Sequence, residues 1–343
     1  MSTLNSDSFP QPEMISPPTM RQPTLQYHTI SSTPMTPSSY LRSHEHQATN
    51  APHSSTLELG ATLYTPATHP RLKEIVSGAQ LSEARSLVIC TEDAISVGEV
   101  STAIDNITRA LEDPSEVRPR CFIRPRNAHT LHRLISQCEH QALQGVVIPK
   151  VDEENILDYA DVLSRAPHLC VMPTIESEVA FYRDRLDKLR EALGRLENAI
   201  LCLRIGGNDL LKLLGMKRPA NFTIYETPLR ATINDLIVTF RPAGYELSAP
   251  VFDYLYDDET LIREVKTDLA YGLMTKTAIH PRQIPIIELL YQVTQHDFKL
   301  AQAMIHEQAP AVFQMSGQMC EPSTHRAWAE RLIARAQRYG IRD

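Results

Sequence analysis

From Gly60 onward the chain repeats one pattern, a short apolar run followed by an amphipathic stretch. The runs are ATLYT (61–65), SLVIC (86–90), RCFIR (120–124), GVVIP (145–149), LCVMP (169–173), ILCLR (200–204), ELSAP (246–250) and KTAIH (276–280). A strand that is apolar along its whole length must be covered on both faces, which is the condition of a parallel sheet. The stretches between them, such as VGEVSTAIDNITRALED, AHTLHRLISQCEHQAL and EENILDYADVLSRA, space apolar residues three and four apart, the period of a helix. Strand–helix units repeated eight times across residues 60–305 predict an α/β fold, a (β/α)8 TIM barrel. An open doubly wound sheet is the alternative, but no GxGxxG opens the first βα turn.

The flanks differ from this pattern. Residues 1–55 are rich in Ser, Thr, Pro, Gln and His and lack sustained apolar periodicity, which predicts a disordered tail. Its histidines, His28, His44, His46 and His53, could bind metal opportunistically, but a solvated tail is the simpler reading. Residues 306–343 form a C-terminal capping segment ending in an amphipathic helix with Trp328, Leu332 and Ile333 on one side. This helix is expected to dock on its own barrel or on a neighbouring subunit.

The net charge is −7 and no basic stripe stands out, which argues against nucleic acid as the partner. The apolar runs are too short to span a bilayer, and no signal pattern opens the chain. A cytoplasmic protein with no membrane partner is expected. Cys90, Cys121, Cys170 and Cys202 lie in or beside apolar segments and no CxxC pair occurs, so they read as free, buried thiols.

In a (β/α)8 barrel, residues just after the strands converge on one pocket. Those residues are Glu92 and Asp93 after the second strand, then Arg124, Arg126 and Asn127 at the third. Lys150 follows the fourth and Glu176 the fifth; Asn208 and Asp209 follow the sixth, and His280 and Gln283 the eighth. Glu176 and Asp209 follow adjacent strands. Two carboxylates without His or Cys ligands suit a hard cation such as Mg²⁺ that shares its remaining positions with water and substrate. Either residue alone reads more simply as a charge at a helix N-terminus; together they favour a site. Arg124 could face them across the pocket and hold a carboxylate or enolate oxygen. Gly206 and Gly207 before Asp209 let the backbone turn tightly. His280 reads as a general base or as a strand-closing hydrogen-bonding residue.

These residues resemble a known family. LYTPA (63–67), TEDAI (91–95), FIRPRN (122–127), GVVIPKVD (145–152), MPTIES (172–177), GGNDL (206–210), KTAIHPRQI (276–284) and SGQMCEP (316–322) are similar, in order and spacing, to the superfamily of the citrate lyase β-subunit, malyl-CoA lyase and the HpcH/HpaI aldolases. The likeness is strongest to its branch of C–C bond lyases of the TIM-barrel fold, associated with tellurite-resistance gene clusters. The resemblance implies Mg²⁺ (or Mn²⁺) held by Glu176 and Asp209, with Arg124 on a substrate oxygen and Glu92 and Asp93 beside the metal's waters. It implies a homotrimer or homohexamer in which Glu321, in the GQMCE segment, caps a neighbour's pocket. Lys150, Gly207, Asn208 and His280 are the remaining candidate substrate contacts. The chain departs from the pattern at Cys90-Thr91, at Ala249-Pro250 and in the insertion LGMKRPANFTIYETPLR. The expected activity is Mg-dependent cleavage or formation of a carbon–carbon bond in a small oxyacid or its CoA thioester, through a metal-stabilised enolate. The alternative is a non-catalytic, metal- and ligand-binding barrel in a stress-response gene cluster.

Overall fold

A computed structural model of the chain describes residues 56–81, 83–112, 119–137 and 143–343. The N-terminal tail and its histidines lie outside the described residues. The expected barrel is present. Its strands are β1 (Ala61–Pro66), β2 (Ser86–Cys90), β3 (Arg120–Arg124), β4 (Leu143–Ile148), β5 (Cys170–Ile175), β6 (Leu203–Ile205), β7 (Leu247–Ser248) and β8 (Lys276–Ala278). They form one sheet in the order β7-β6-β5-β4-β3-β2-β1-β8. Every pairing in it is parallel. The ends of that order meet through a bridge between Ala249 and Lys276, where Ala249 N–H donates to the Thr275 carbonyl at 2.8 Å.

Five helices follow the first five strands: α1 (Leu72–Val76), α2 (Val100–Leu111), α3 (Ala128–Gln137), α4 (Asn155–Leu163) and α5 (Arg183–Leu193). Two follow β6, α6 (Gly207–Leu213) and α7 (Leu229–Phe240); α8 (Asp258–Ala270) follows β7 and α9 (Gln283–Leu290) follows β8. The apolar period explains their placement. In α2 the buried residues are Ala103, Ile104, Ile107, Ala110 and Leu111, one stripe three and four apart that faces the sheet. Outward strand residues and these helical stripes form the main core, including Leu63, Leu87, Ile123, Ile148 and Val171. Inward residues form a second, smaller core inside the barrel, with Val88, Phe122, Val147, Met172 and Cys202.

Strand limits differ from the sequence reading where chemistry intervenes. β5 runs through Pro173 to Ile175, so Pro173 does not end it and Glu176 is the first residue beyond the strand. β7 keeps only Leu247 and Ser248, since Pro250 has no N–H to give a ladder. β8 stops at Ala278, before Pro281. Among the described residues Cys90 and Cys202 are free, buried thiols, as expected, while Cys170 is free but half-buried; Cys320 is also a free thiol.

The insertion after α6 is fastened by buried charge. Arg218 donates to Glu264 Oε2 at 2.8 Å and to the Val251 carbonyl at 2.8 Å, and Ile224 N–H donates to Glu264 Oε2 at 2.6 Å. Lys276, on the outward face of β8, reaches Glu264 and Asp268 of α8, each at 2.9 Å. Tyr225 O–H closes the set on Asp268 at 2.5 Å. Burial raises the Asp268 carboxyl to about 6, with the Lys276 charge pulling the other way. Such a network is costly to desolvate and more costly to leave half-paired, so it fixes the inserted loop against α8 and β8.

Beyond the barrel come β9 (Val293–Thr294), α10 (Gln295–Ile305), the hairpin β10 (Phe313–Met315) and β11 (Gln318–Cys320), α11 (Pro322–Tyr339) and β12 (Ile341–Arg342). α11 packs on α10 through Ala329, Leu332 and Ala336. Its distal half reaches the N-terminal ends of the barrel strands. Arg331 pairs with Glu246 at 2.6 Å, Arg338 pairs with Glu58 at 2.7 Å, and Tyr339 O–H donates to the Leu57 carbonyl. The helix therefore docks on its own barrel. Trp328 is 42% exposed and lies off the packed face, contrary to the sequence grouping with Leu332.

Candidate active site

A cavity of about 390 Å³ opens at the C-terminal ends of the strands. Glu92, Asp93, Arg124, Glu176, Gly207, Asn208 and Asp209, all singled out from the sequence, line it. They come from the ends of two neighbouring strand pairs, β2 with β3 and β5 with β6, which flank β4.

Arg124 is the hub. Its Nε and Nη2 donate to Glu92 Oε2 at 3.1 and 2.8 Å, and Nη2 also donates to Glu176 Oε1 at 2.8 Å. Burial works against its charge, but the Glu176 and Glu92 carboxylates hold its proton well above the ordinary arginine range. Nη1 makes no hydrogen bond among the described residues and is left for a ligand. Arg126 braces this corner by donating to the Glu92 and Ile95 carbonyls at 2.7 and 2.6 Å.

Lys150 lies beside the cavity. Its Nζ donates to Glu92 Oε1 and to Asp93 Oδ2, the latter at 2.8 Å. Its backbone sits in the left-handed region at φ +48°, an uncommon state for a side chain of this kind. That turn aims the Lys150 N–H at Glu176 Oε1, 2.9 Å away. Burial opposes the ammonium, yet the hydrogen bonds to Asp93 and Glu92 raise its pKa. Partial burial likewise opposes the Asp93 charge, but the Lys150 contact holds that carboxyl below its ordinary value.

Glu176 is 4% exposed. Both hydrogen bonds it accepts fall on Oε1. Oε2 lies against Gly206, where an added Cβ would come within 2.3 Å of it. Burial, with the Asp209 charge nearby, pushes the Glu176 carboxyl up to about 7 in spite of Arg124. Asp209, half-buried in the first turn of α6, is raised too, by burial and by Asp93 and Glu92, against the pull of Lys150 and Arg124. No hydrogen bond or ion pair reaches its carboxylate among the described residues.

These observations test whether a divalent cation fits. At the mouth Glu92, Asp93, Glu176 and Asp209 face two cations, Arg124 and Lys150, which leaves carboxylate in excess there; Arg204, lower in the cavity, adds one further positive charge. Glu176 and Asp209, the two carboxylates with elevated proton affinity, each keep an oxygen that accepts no hydrogen bond among the described residues, as exposed Asp93 does at Oδ1, whereas both oxygens of Glu92 are engaged. No group of three or more His, Cys, Asp or Glu side chains gathers for a metal among the described residues. Two protein carboxylates are nevertheless what Mg²⁺ takes when it keeps its waters and binds substrate. The donor set fits the ion.

Other candidates are placed differently. Asn208 donates to Asp253 Oδ1 at 2.6 Å, which joins the cavity rim to Arg218, 3.6 Å from Asp253 Oδ2. His280 does not line the cavity; its Nδ1 accepts from Arg282 N–H at 3.2 Å, a turn contact. Glu321 is the N-cap residue of α11 and accepts from Ser323 at 3.1 Å; it does not line the cavity of its own chain. Cys90 does line it, but burial raises the thiol above its ordinary value and disfavours the thiolate. The sequence reading missed Arg204, Thr174 and Thr277, which line the cavity below the carboxylates. Their signal was strand alternation: in β6, Leu203 and Ile205 face the helices, which turns Arg204 inward.

The family model of C–C bond lyases of the TIM-barrel fold matches residues 53–341. Among solved structures, a CitE protein from Mycobacterium tuberculosis in complex with magnesium, acetoacetate and coenzyme A is 21% identical. It has a TM-score of 0.64 and covers 82% of this chain and 99% of its own. RipC from Yersinia pestis is 20% identical with a TM-score of 0.53, covering 70% of this chain and 98% of its own. A citrate lyase β-subunit from M. tuberculosis with oxaloacetate and magnesium is 18% identical with a TM-score of 0.52, covering 69% and 99%. At these identities the likeness shows the fold. No curated protein sequence matches the chain.

Proposed function

The chain belongs to the C–C bond lyases of the TIM-barrel fold, and from that premise we propose that it cleaves or forms a carbon–carbon bond in a small oxyacid with Mg²⁺ held by Glu176 and Asp209. The observation that carries this reading is the cavity mouth, where four carboxylates face the two cations Arg124 and Lys150 and where Glu176 and Asp209 each keep an oxygen without a hydrogen bond. The solved CitE structures described above contain magnesium with small oxyacids, which supports the same choice of ion and ligand. When bound, the ion would supply Lewis-acid stabilisation of developing enolate charge.

The remaining roles belong to the chain's own side chains. Arg124 is held in place by Glu92 and Glu176 and presents Nη1 as a fixed donor for a substrate oxygen. Because its partners are already in place, little reorganisation is needed as charge develops there. Lys150 holds Glu92 and Asp93 and uses its backbone N–H to fix Glu176, which makes it a positioning residue. Asp93 is exposed and kept ionised, placed to hold a water at the mouth. Removal of the β-hydroxyl proton during cleavage is assigned to Glu321 of a second copy of the chain, since Glu92 is engaged by two cations. That assignment requires a homo-oligomer, a trimer or hexamer. A CoA thioester remains within the reading, because the cavity is open at the mouth.

The test is Asp209→Ala. The variant is expected to lose Mg²⁺ binding and turnover together. Turnover with Mg²⁺ dependence intact in that variant would remove the metal assignment.

A further inference from the structure

Four cationic side chains are buried among the described residues: Arg124, Arg204, Arg218 and Lys276. Three of them meet carboxylates: Arg124 meets Glu92 and Glu176, Arg218 meets Glu264, and Lys276 meets Glu264 and Asp268. Arg204, 2% exposed, meets none. Its Nη2 donates to Thr277 Oγ1 at 2.6 Å, Nη1 lies 3.6 Å from Met172 Sδ, and the guanidinium sits over the Tyr64 ring at 5.3 Å. Its Nε has no hydrogen-bond partner. Thr174, paired with Arg204 across β5 and β6, is 2% exposed, and its Oγ1 is also without a partner. Both residues line the cavity, as do Tyr64 and Thr277.

A buried charge without a counter-charge is costly to keep out of water. A buried guanidinium with an open edge is also a fork for carboxylate. We propose that Arg204, with Thr174 and Thr277, forms a second anion subsite at the cavity floor, which binds the distal carboxylate of a dicarboxylic oxyacid. The proposal rests on the metal-centred reading above, because the acid's other end must lie at Glu176 and Asp209. The spacing suits this. Thr174 is two residues before Glu176 on β5, so the floor lies about 6.6 Å below the mouth, two residue rises of a parallel strand. A four-carbon diacid spans that depth. With a divalent ion at the mouth the carboxylate cluster there is balanced, which leaves the Arg204 charge for the ligand.

The experiment is calorimetry at saturating Mg²⁺ with two probes that share a 2-hydroxy acid end, malate and 2-hydroxybutyrate. Malate carries a distal carboxylate where the other carries a methyl group. The wild-type chain is expected to bind malate about ten- to hundredfold more tightly, the strength of a charged hydrogen-bonded pair. Arg204→Met is expected to bring malate down to the affinity of 2-hydroxybutyrate, with the latter unchanged within about twofold. Asp209→Ala is expected to abolish both. A folded Arg204→Met protein that still prefers malate overturns the proposal and makes Arg204 a packing plug against Tyr64. If Arg204→Met does not fold, Thr277→Val decides: a reduced malate preference supports the subsite, and an unchanged one overturns it. Tighter binding of 3-phosphoglycerate than of malate overturns the carboxylate assignment in favour of phosphate. Equal affinities with Mg²⁺ dependence intact remove the subsite alone. Failure of both acids to bind with Mg²⁺ removes the metal-centred reading and the subsite with it.

Discussion

Replacing Gly206 with alanine should disable the metal site without changing either carboxylate. Gly206 has φ −85° and ψ 74°, a backbone state open to alanine, so the substitution carries no left-handed strain. The cost comes from space. A Cβ there would stand 2.3 Å from Glu176 Cβ and 2.3 Å from its Oε2, where ordinary contact begins at 3.4 Å. Glu176 would have to retreat by about 1.1 Å, and it cannot retreat freely because Oε1 is held by Arg124 and by the Lys150 N–H. Mg²⁺ demands oxygen at about 2.0–2.1 Å in near-octahedral geometry, so a shift of that size removes a bond. Calorimetric Mg²⁺ affinity is expected to fall about ten- to hundredfold, while overpacking costs about 1–3 kcal/mol of stability. Gly98→Ala is the control, since a Cβ there meets nothing within 4 Å. A folded Gly206→Ala protein that binds Mg²⁺ within about twofold of wild type would refute this reasoning.

Four further outcomes are expected. Mg²⁺ affinity should fall about tenfold per pH unit below about 7, because the Glu176 proton competes with the ion, and should level off above it. In the metal-free chain the raised Glu176 value implies stability present below the ordinary value of 4.5 and lost as pH rises through about 7; melting curves with and without Mg²⁺ check both. Lys276→Met leaves Glu264 and Asp268 buried without their shared cation and should cost roughly 3–5 kcal/mol by denaturant titration. Asp257→Ala removes the cap on Thr260 N–H, 3.0 Å away at the start of α8, and should cost about 1 kcal/mol.

The barrel was legible because its strands are buried on both faces and its helices are not. That contrast is written in hydrophobic period, which survives without tertiary knowledge. The mouth of the cavity was legible for a topological reason: residues after parallel strands must converge, so Glu92, Arg124, Glu176 and Asp209 could be gathered from order alone. The period argument fails where a charge sits inside a strand. Arg204 read as the end of ILCLR, and only the alternation about it, with Leu203 and Ile205 outward, turns it into the floor. Lys276 is the mirror case, a lysine on the outward face made tolerable by Glu264 and Asp268, two acids on α8 that look like surface charges in sequence. His280 shows a third limit. Nothing in HPRQI separates a histidine that enters the pocket from one whose Nδ1 is taken by its own turn. The inserted LGMKRPANFTIYETPLR segment had no pattern to read, and Arg218 shows why: it is fixed by a partner on α8, in a different repeat.

The most direct test of the account is a crystal structure of the chain with Mn²⁺ and malate, read by anomalous scattering. The account predicts one peak within bonding distance of Glu176 and Asp209, with a malate carboxylate and its hydroxyl completing the coordination. A peak held by Glu92 and Asp93 instead, or no peak at saturating metal, would contradict it.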